Sequence, residues 1–348
     1  MVKKTLLQLM DEKVVVFDGA MGTSLQSQDL TLDDFEGLEG CNEVLSASRP
    51  DAVRRVHDEF LAAGADVVET NTFGGMRVVL AEYGIEDRAH ELALASARLA
   101  REVAAAHSTA EQPRFVCGSI GPGTKLPSLG HIGFRDLRDA FLPLAAGLVE
   151  GGVDALIVET CQDILQAKAA LDAVRLAVAA GDREIPVMAS VTIEATGSML
   201  VGTDIAAATA ALLPLGVDSL GLNCATGPDQ MVRHLQYLSR HGARRLSVVP
   251  DAGLPQNIDG RTVYPLTPEE LADWLERFVR DEGAGIVGGC CGTVPAHIRA
   301  VAQRVGRLEA PRRAPLRQPA SASLYQAVAM TQTPPPLIVG ERTNANGS

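Results

Sequence analysis

The stretch Gly152-Val153-Asp154-Ala155-Leu156-Ile157-Val158-Glu159 carries the reading of the fold. Ahead of it, Phe134 to Leu148 has helical periodicity, so the glycine fits a left-handed helix exit. After it, Ala155 to Val158 is a short apolar run suited to a parallel strand covered on both faces. The pattern recurs. Gly64-Ala65-Asp66 leads into a run over Asp66 to Glu69, and Gly216-Val217-Asp218 leads into Ser219 to Leu222.

Five further runs, Val14 to Phe17, Phe115 to Gly118, Pro186 to Ser190, Leu246 to Val249 and Gly285 to Val287, bring the count to eight. Helical stretches rich in Ala, Leu, Glu and Arg separate many of them, over Ala52 to Ala63, Asp87 to Ala106 and Ile164 to Ala179. Helix starts are marked too: Thr267-Pro268-Glu269-Glu270 predicts a capping box, and Ser48 and Asp51 fit that pattern more loosely. Eight strand-helix units most economically make an α/β protein of the (β/α)8 TIM-barrel class, with functional residues at the C-terminal strand ends. An open doubly wound sheet is the rival. Its nucleotide fingerprints are absent, since Pro122 and the glycine spacing of Gly118-Ser119-Ile120-Gly121-Pro122-Gly123 spoil them. That segment reads as a structural turn or substrate loop.

A hydrophobic content of 46% supports a large core, and with aromatics at 4% it must be built mainly from Ala, Val, Leu and Ile. The 31 basic against 43 acidic residues give a net charge of -12, which argues against nucleic acid or anionic membrane as a partner. No apolar run is long enough to span a bilayer, and Met1-Val2-Lys3-Lys4 does not open a signal peptide, so a cytoplasmic location is expected. The barrel is expected over 1–310. Residues 311–336 are rich in Pro, Arg, Ala, Gln and Ser and read as a linker or irregular wrap. Leu337-Ile338-Val339 then reads as the opening strand of another domain, truncated within 337–348.

The barrel reading selects residues that should converge at one mouth: Asp18, Asn71, Ser119, Glu159, Thr192, Cys224, Cys290 and Cys291. Three of these are thiols, on a chain with six cysteines. A chain of this size needs no disulfide staples. Thiolates are soft ligands, and zinc accepts three of them tetrahedrally with the fourth position open. Cys224, Cys290 and Cys291 are therefore candidate zinc ligands, and a site carrying a formal charge of -1 suits activation of a substrate thiol better than of water. A closed structural zinc site with a fourth protein ligand is the alternative. Asp18 and Glu159 suit the ammonium of an amino acid, and the small residues Gly19, Ala20 and Met21 would let backbone N–H groups approach its carboxylate; helix capping or a salt bridge is the plainer reading of both acids. Of the other cysteines, Cys117 is expected in the core, Cys161 in packing or a helix start, and Cys41 exposed in an early loop. His57, His90, His241 and His297 read as packing or surface residues, and His131 as a contact for a partner or lid.

At these motifs the chain resembles the zinc-dependent homocysteine S-methyltransferase family, and within it the homocysteine-binding module of cobalamin-dependent methionine synthases. The matching segments are Phe17-Asp18-Gly19-Ala20-Met21-Gly22-Thr23, Glu69-Thr70-Asn71-Thr72-Phe73, Glu159-Thr160, Gly221-Leu222-Asn223-Cys224 and Gly288-Gly289-Cys290-Cys291-Gly292, spread over about residues 10–306. The resemblance implies that Cys224, Cys290 and Cys291 hold zinc, that Asp18 and Glu159 hold the homocysteine amino group, and that the Gly19, Ala20 and Met21 backbone receives its carboxylate. It implies methyl transfer from methylcobalamin to homocysteine, giving methionine. The methylcobalamin would come from a separate module or from solution. Gly340-Glu341-Arg342-Thr343-Asn344 resembles the start of a folate-binding barrel. Corrinoid-binding and folate-binding modules of the same enzyme are thus the expected partners, and folate-dependent turnover requires them. Betaine or S-methylmethionine as methyl donor is the alternative within the family.

Overall fold

The apolar runs lie side by side in the computed structural model, which describes residues 4–258, 261–331 and 333–335. They form β1 (Val15–Val16), β2 (Val67–Glu69), β3 (Phe115–Ile120), β4 (Ala155–Cys161), β5 (Val187–Val191), β6 (Ser219–Asn223), β7 (Arg245–Val249) and β8 (Ile286–Val287). Every neighbouring pair is parallel, β1 lies beside β8, and the order then runs from β7 down to β2. A parallel bridge between Phe17 and Val67 joins β1 to β2, so the eight strands close into the expected TIM barrel.

The repeated Gly-x-Asp motif has a physical reason. Gly64, Gly152 and Gly216 end their helices at φ 112°, 85° and 68°, the left-handed region that disfavours a Cβ. Each following aspartate then clips the neighbouring strand through both backbone and side chain. Asp66, Asp154 and Asp218 accept the N–H groups of Val16, Val116 and Val187 at 2.9–3.0 Å. Their own N–H groups donate to the carbonyls of the same three residues at 2.7–2.8 Å. The strand starts are thus pinned at the end of the barrel opposite the mouth.

Alternation along the strands divides the core. Val15, Phe17, Val67, Phe115, Cys117, Ile157, Met188 and Ile286 fill the barrel interior with Leu6, Leu9 and Met10 of the helix Leu6–Glu12, which plugs the N-terminal end. Val16, Val68, Val116, Leu156, Val158 and Leu220 join the larger cluster formed with the surrounding helices. Cys117 is in the core, as expected.

Several local expectations need correction. The capping box at Thr267 is present: its hydroxyl accepts the Glu270 N–H at 3.3 Å and Glu270 accepts the Thr267 N–H at 2.8 Å. Ser48 and Asp51 cap nothing. The helix Pro50–Ala63 begins after Arg49, whose side chain has no oxygen to offer as a cap, and the Ser48 hydroxyl donates instead to the Asp34 carbonyl. Cys41 is fully buried rather than exposed, packed with Val44, Leu80, Ala89 and Leu92. His131 is exposed, as a contact for a partner or lid would require, and its Nδ1 accepts the Leu126 N–H at 3.3 Å within its own loop. Residues 311–331 run against the barrel: Arg313 donates to the carbonyls of Leu238, Ser239 and Ala243, and a hairpin pairs Ala320–Ala322 with Ala327–Ala329. Residues 337–348 lie outside the described residues. Among those described, no helix is long and apolar enough to cross a membrane.

His57, on the inner face of Pro50–Ala63, is fully buried with neither ring nitrogen hydrogen-bonded. Burial pulls its pKa down from 6.5 to about 4, since a buried imidazolium is costly. In the unfolded chain the ring protonates below about pH 6.5. The folded state cannot follow until about pH 4, so the stability contributed above pH 6.5 is lost as pH falls through that window. Urea titrations of the wild type and of His57→Leu are expected to differ in slope with pH. From about pH 7.5 to about pH 5 the wild type should lose about 2 kcal/mol more than the variant.

Candidate functional site

Four groups meet at the C-terminal end of the barrel. Cys224 follows β6, Asp251 follows β7, and Cys290 and Cys291 follow β8; their sulfur and carboxylate ligand atoms all lie within 4.8 Å of one another. The Cys224 and Cys291 sulfurs are 3.8 Å apart. Two sulfurs on one tetrahedral zinc, each at about 2.3 Å, stand about 3.8 Å apart. A disulfide would need about 2.05 Å, and all three cysteines are free. The donor set and its spacing fit a thiophilic divalent cation.

The backbone builds this cluster at a cost. Cys224 and Ala225 both sit at φ 61°, a left-handed conformation that costs a non-glycine residue of order 1–3 kcal/mol. Hydrogen bonds between the loops hold it there. The Cys224 N–H donates to the Val249 carbonyl, the Cys290 N–H to the Pro250 carbonyl and the Ala252 N–H to the Cys291 carbonyl. Asp251 accepts the Cys291 N–H at 2.9 Å. Gly292, at φ 76°, lets the chain pass Tyr264, whose ring would lie 2.1 Å from an added Cβ.

Three thiols this close cannot all ionise without a cation. Hydrogen bonds from Cys224 and Cys290 hold the Cys291 thiol well below the ordinary range, while the same contacts and burial push Cys290 up. Burial, together with the charge on Cys291, raises Asp251 to about 7. A divalent cation would relieve all of this at once.

The second half of the site is acidic. Asp18, Glu69 and Glu159 line the same cavity of about 250 Å³, whose lining includes no lysine or arginine. Asp18 accepts the Glu69 N–H at 3.0 Å, and Glu159 accepts from the Ser119 hydroxyl and, at 3.3 Å, from the Asn223 amide. Burial raises the pKa of all three. Repulsion from Glu159 adds to the shift of Asp18, and repulsion from Glu159 and Asp18 to that of Glu69; Glu159 is pushed up to about 7. Buried carboxylates without a counter-ion are an attractive setting for an ammonium group. Beside them Gly19 must be glycine, because a Cβ would stand 2.7 Å from both Phe60 and Thr293. Ala20 then caps the short helix Met21–Gln26 without a side-chain hydrogen bond.

Asp18, Gly19, Ala20, Met21, Glu159, Cys224, Cys290 and Cys291 thus all line one cavity, with Asn71 and Ser119. Thr192 does not reach it; its hydroxyl donates to the Asn223 carbonyl at 2.9 Å. Cys161 is buried beneath. The sequence reading does not include Glu69, Asp251 or Tyr264 among the site residues. The rule that residues past the strand ends converge was applied to every strand but β7, and Asp251 stands two residues past it.

An eight-stranded barrel carrying thiols and carboxylates at its C-terminal mouth defines a class, and the chain belongs to the homocysteine S-methyltransferase family, whose pattern matches residues 15–305. It is a homocysteine methyltransferase domain. Methionine synthase of Mycobacterium tuberculosis is 51% identical over 343 residues, which cover 99% of this chain and 29% of that protein. Methionine synthase of Mycobacterium leprae is also 51% identical, over 348 residues and the same shares. The chain therefore spans less than a third of the curated relatives it matches. The metallated crystal structure of the homocysteine methyltransferase MmuM from Escherichia coli matches with a TM-score of 0.68 at 25% identity, over 86% of this chain and 99% of that one.

Proposed function

We propose that the cavity takes homocysteine with its sulfur at Cys224, Cys290 and Cys291 and its ammonium at Asp18, Glu69 and Glu159. In this reading the substrate is presented to methylcobalamin carried by another module of a longer methionine synthase. What supports this most is the meeting of a three-thiol cluster with the carboxylates of Asp18, Glu69 and Glu159 in one cavity of about 250 Å³, small enough for an amino acid. Zinc held by the three thiols would lower the pKa of a fourth, substrate thiol while leaving electron density on its sulfur.

The chain's own residues bind and orient. Asp251 completes four donors in the free protein and is the group a substrate sulfur would replace; the Cys291 N–H keeps its carboxylate in place. Asp18, Glu69 and Glu159 fix the other end of the substrate, and the Gly19, Ala20 and Met21 backbone at the start of Met21–Gln26 receives its carboxylate. No general base is needed, because alignment and an already ionised sulfur suffice for displacement at a methyl carbon. The partition into a barrel over 1–310, a linker over 311–336 and the opening of a folate-binding module over 337–348 belongs to the same proposal, as do the corrinoid-binding partner and a cytoplasmic setting that keeps the thiols reduced.

Donor competition tests this. Zinc-loaded chain given homocysteine should form methionine and cob(I)alamin from methylcobalamin, and no methionine from betaine or S-methylmethionine. Turnover with either of the latter alone would replace the proposed donor.

A further inference from the structure

Asn223 sits between the two halves of the site and touches both. It is the last residue of β6, 2% exposed, and Cys224 follows it directly. Its amide is fully used. Nδ2 donates to the Thr160 hydroxyl at 2.7 Å and to Glu159 Oε2 at 3.3 Å; Oδ1 accepts the Thr160 N–H at 3.0 Å and the Ser190 hydroxyl at 2.7 Å. A carboxamide offers two donors and one acceptor oxygen with two lone pairs, so no capacity is left over.

The partners matter as much as the count. Pairing between β4 and β5 shifts register between Val158 and Cys161, where Glu159 and Thr160 lie. Thr160 stands at φ 56° and Cys224 at φ 61°. One strained residue thus follows the ammonium-facing carboxylate, and the other carries the thiol. Strain of this kind persists only where the surroundings over-determine it. The Asn223 side chain reaches past β5 to satisfy the Thr160 peptide, while its carbonyl is held by Thr192.

We propose that Asn223 is a positioning residue that fixes the separation between Glu159 and Cys224 and so reads the length of the substrate chain. The inference rests on the homocysteine reading above and adds to it a ruler. Homocysteine carries one methylene more than cysteine between nitrogen and sulfur. A rigid spacing between the carboxylate and the thiol cluster rejects the shorter amino acid, and a loosened one does not. One methylene is worth about 10-fold to 200-fold in a well-formed site.

Thiol binding to the zinc-loaded chain tests this by competition, with homocysteine, cysteine and 4-mercaptobutyrate, which lacks the ammonium. In Asn223→Ala, homocysteine affinity should fall about 10-fold or more. Affinity for 4-mercaptobutyrate should change less than about 2-fold, and the preference for homocysteine over cysteine should collapse. Adding Glu159→Gln to Asn223→Ala should cost little further, because the two act as one unit. Asn223→Asp keeps the shape but replaces the donor to Glu159 and Thr160 with an acceptor, and it should likewise lose the preference for homocysteine over cysteine. Equal loss for all three thiols, or additive effects of Asn223→Ala and Glu159→Gln, would overturn the ruler and leave only a structural role. If the wild type bound none of the three thiols, the homocysteine reading itself would fall, which is a separate result.

Discussion

Cys291→Ala is expected to lower zinc affinity by more than about 100-fold, beyond the loss that follows from removing a supporting contact to a ligand. The expectation comes from the geometry of the cluster. Cys291 stands 3.8 Å from Cys224, and the neighbouring thiols hold its own thiol well below the ordinary range, so it carries the charge of the metal-free set. Its removal leaves two thiols and the Asp251 carboxylate, one donor short of the set that fits a thiophilic cation. Homocysteine binding as a thiolate should vanish with the metal. The fold should not: the barrel interior and the helical shell contain none of the three cluster thiols. Metal content after dialysis against a chelator, read beside a melting curve, checks both halves. A variant that retains stoichiometric zinc would contradict the assignment.

The second large effect is expected at Glu159. Glu159→Gln should weaken homocysteine about 10-fold to 100-fold, the range for a lost charged hydrogen bond in a buried site, and leave zinc content unchanged. The pH dependence has a defined sign. Burial pushes Glu159 up to about 7, so in the free protein it gains a proton as pH falls through that value. A neutral carboxyl holds an ammonium poorly. Affinity for homocysteine should therefore drop below about pH 7, and Glu159→Gln should show a shallower dependence, with Asp18 and Glu69 still titrating. Calorimetric titration at several pH values separates the two proteins; parallel curves would remove Glu159 from ammonium recognition.

Much of this site was legible because strand ends are legible. Short β-branched runs set between Gly-x-Asp exits and amphipathic helices placed all eight strands, within a few residues at each end. The count then brought Cys224 together with Cys290 and Cys291 across a wide gap in sequence. What stayed hidden had local causes. β1 and β8 pair over two residues each, so the apolar runs at 14–17 and 285–287 overstate them. Cys41 lies in a polar loop, yet tertiary packing against Leu80, Ala89 and Leu92 buries it, and nothing within a few residues signals that. Thr192 follows β5 as the rule requires, but its hydroxyl turns to the Asn223 carbonyl instead of the mouth. The loop after β7 hid two things at once: Asp251, and an antiparallel pairing of Gln256–Ile258 with Arg261–Val263. Tyr264 follows that pairing and lies against the chain at Gly292 only because Gly292 has no side chain to meet it.

In the proposed mechanism three protein thiols hold a metal whose remaining position takes the substrate's sulfur. Zinc K-edge absorption on the loaded chain, with and without homocysteine, reads that directly. Three sulfur neighbours and one lighter atom are expected in the free protein, from Cys224, Cys290, Cys291 and Asp251. Four sulfurs are expected once homocysteine is added. An unchanged spectrum, or four sulfurs before any substrate is present, would contradict the account.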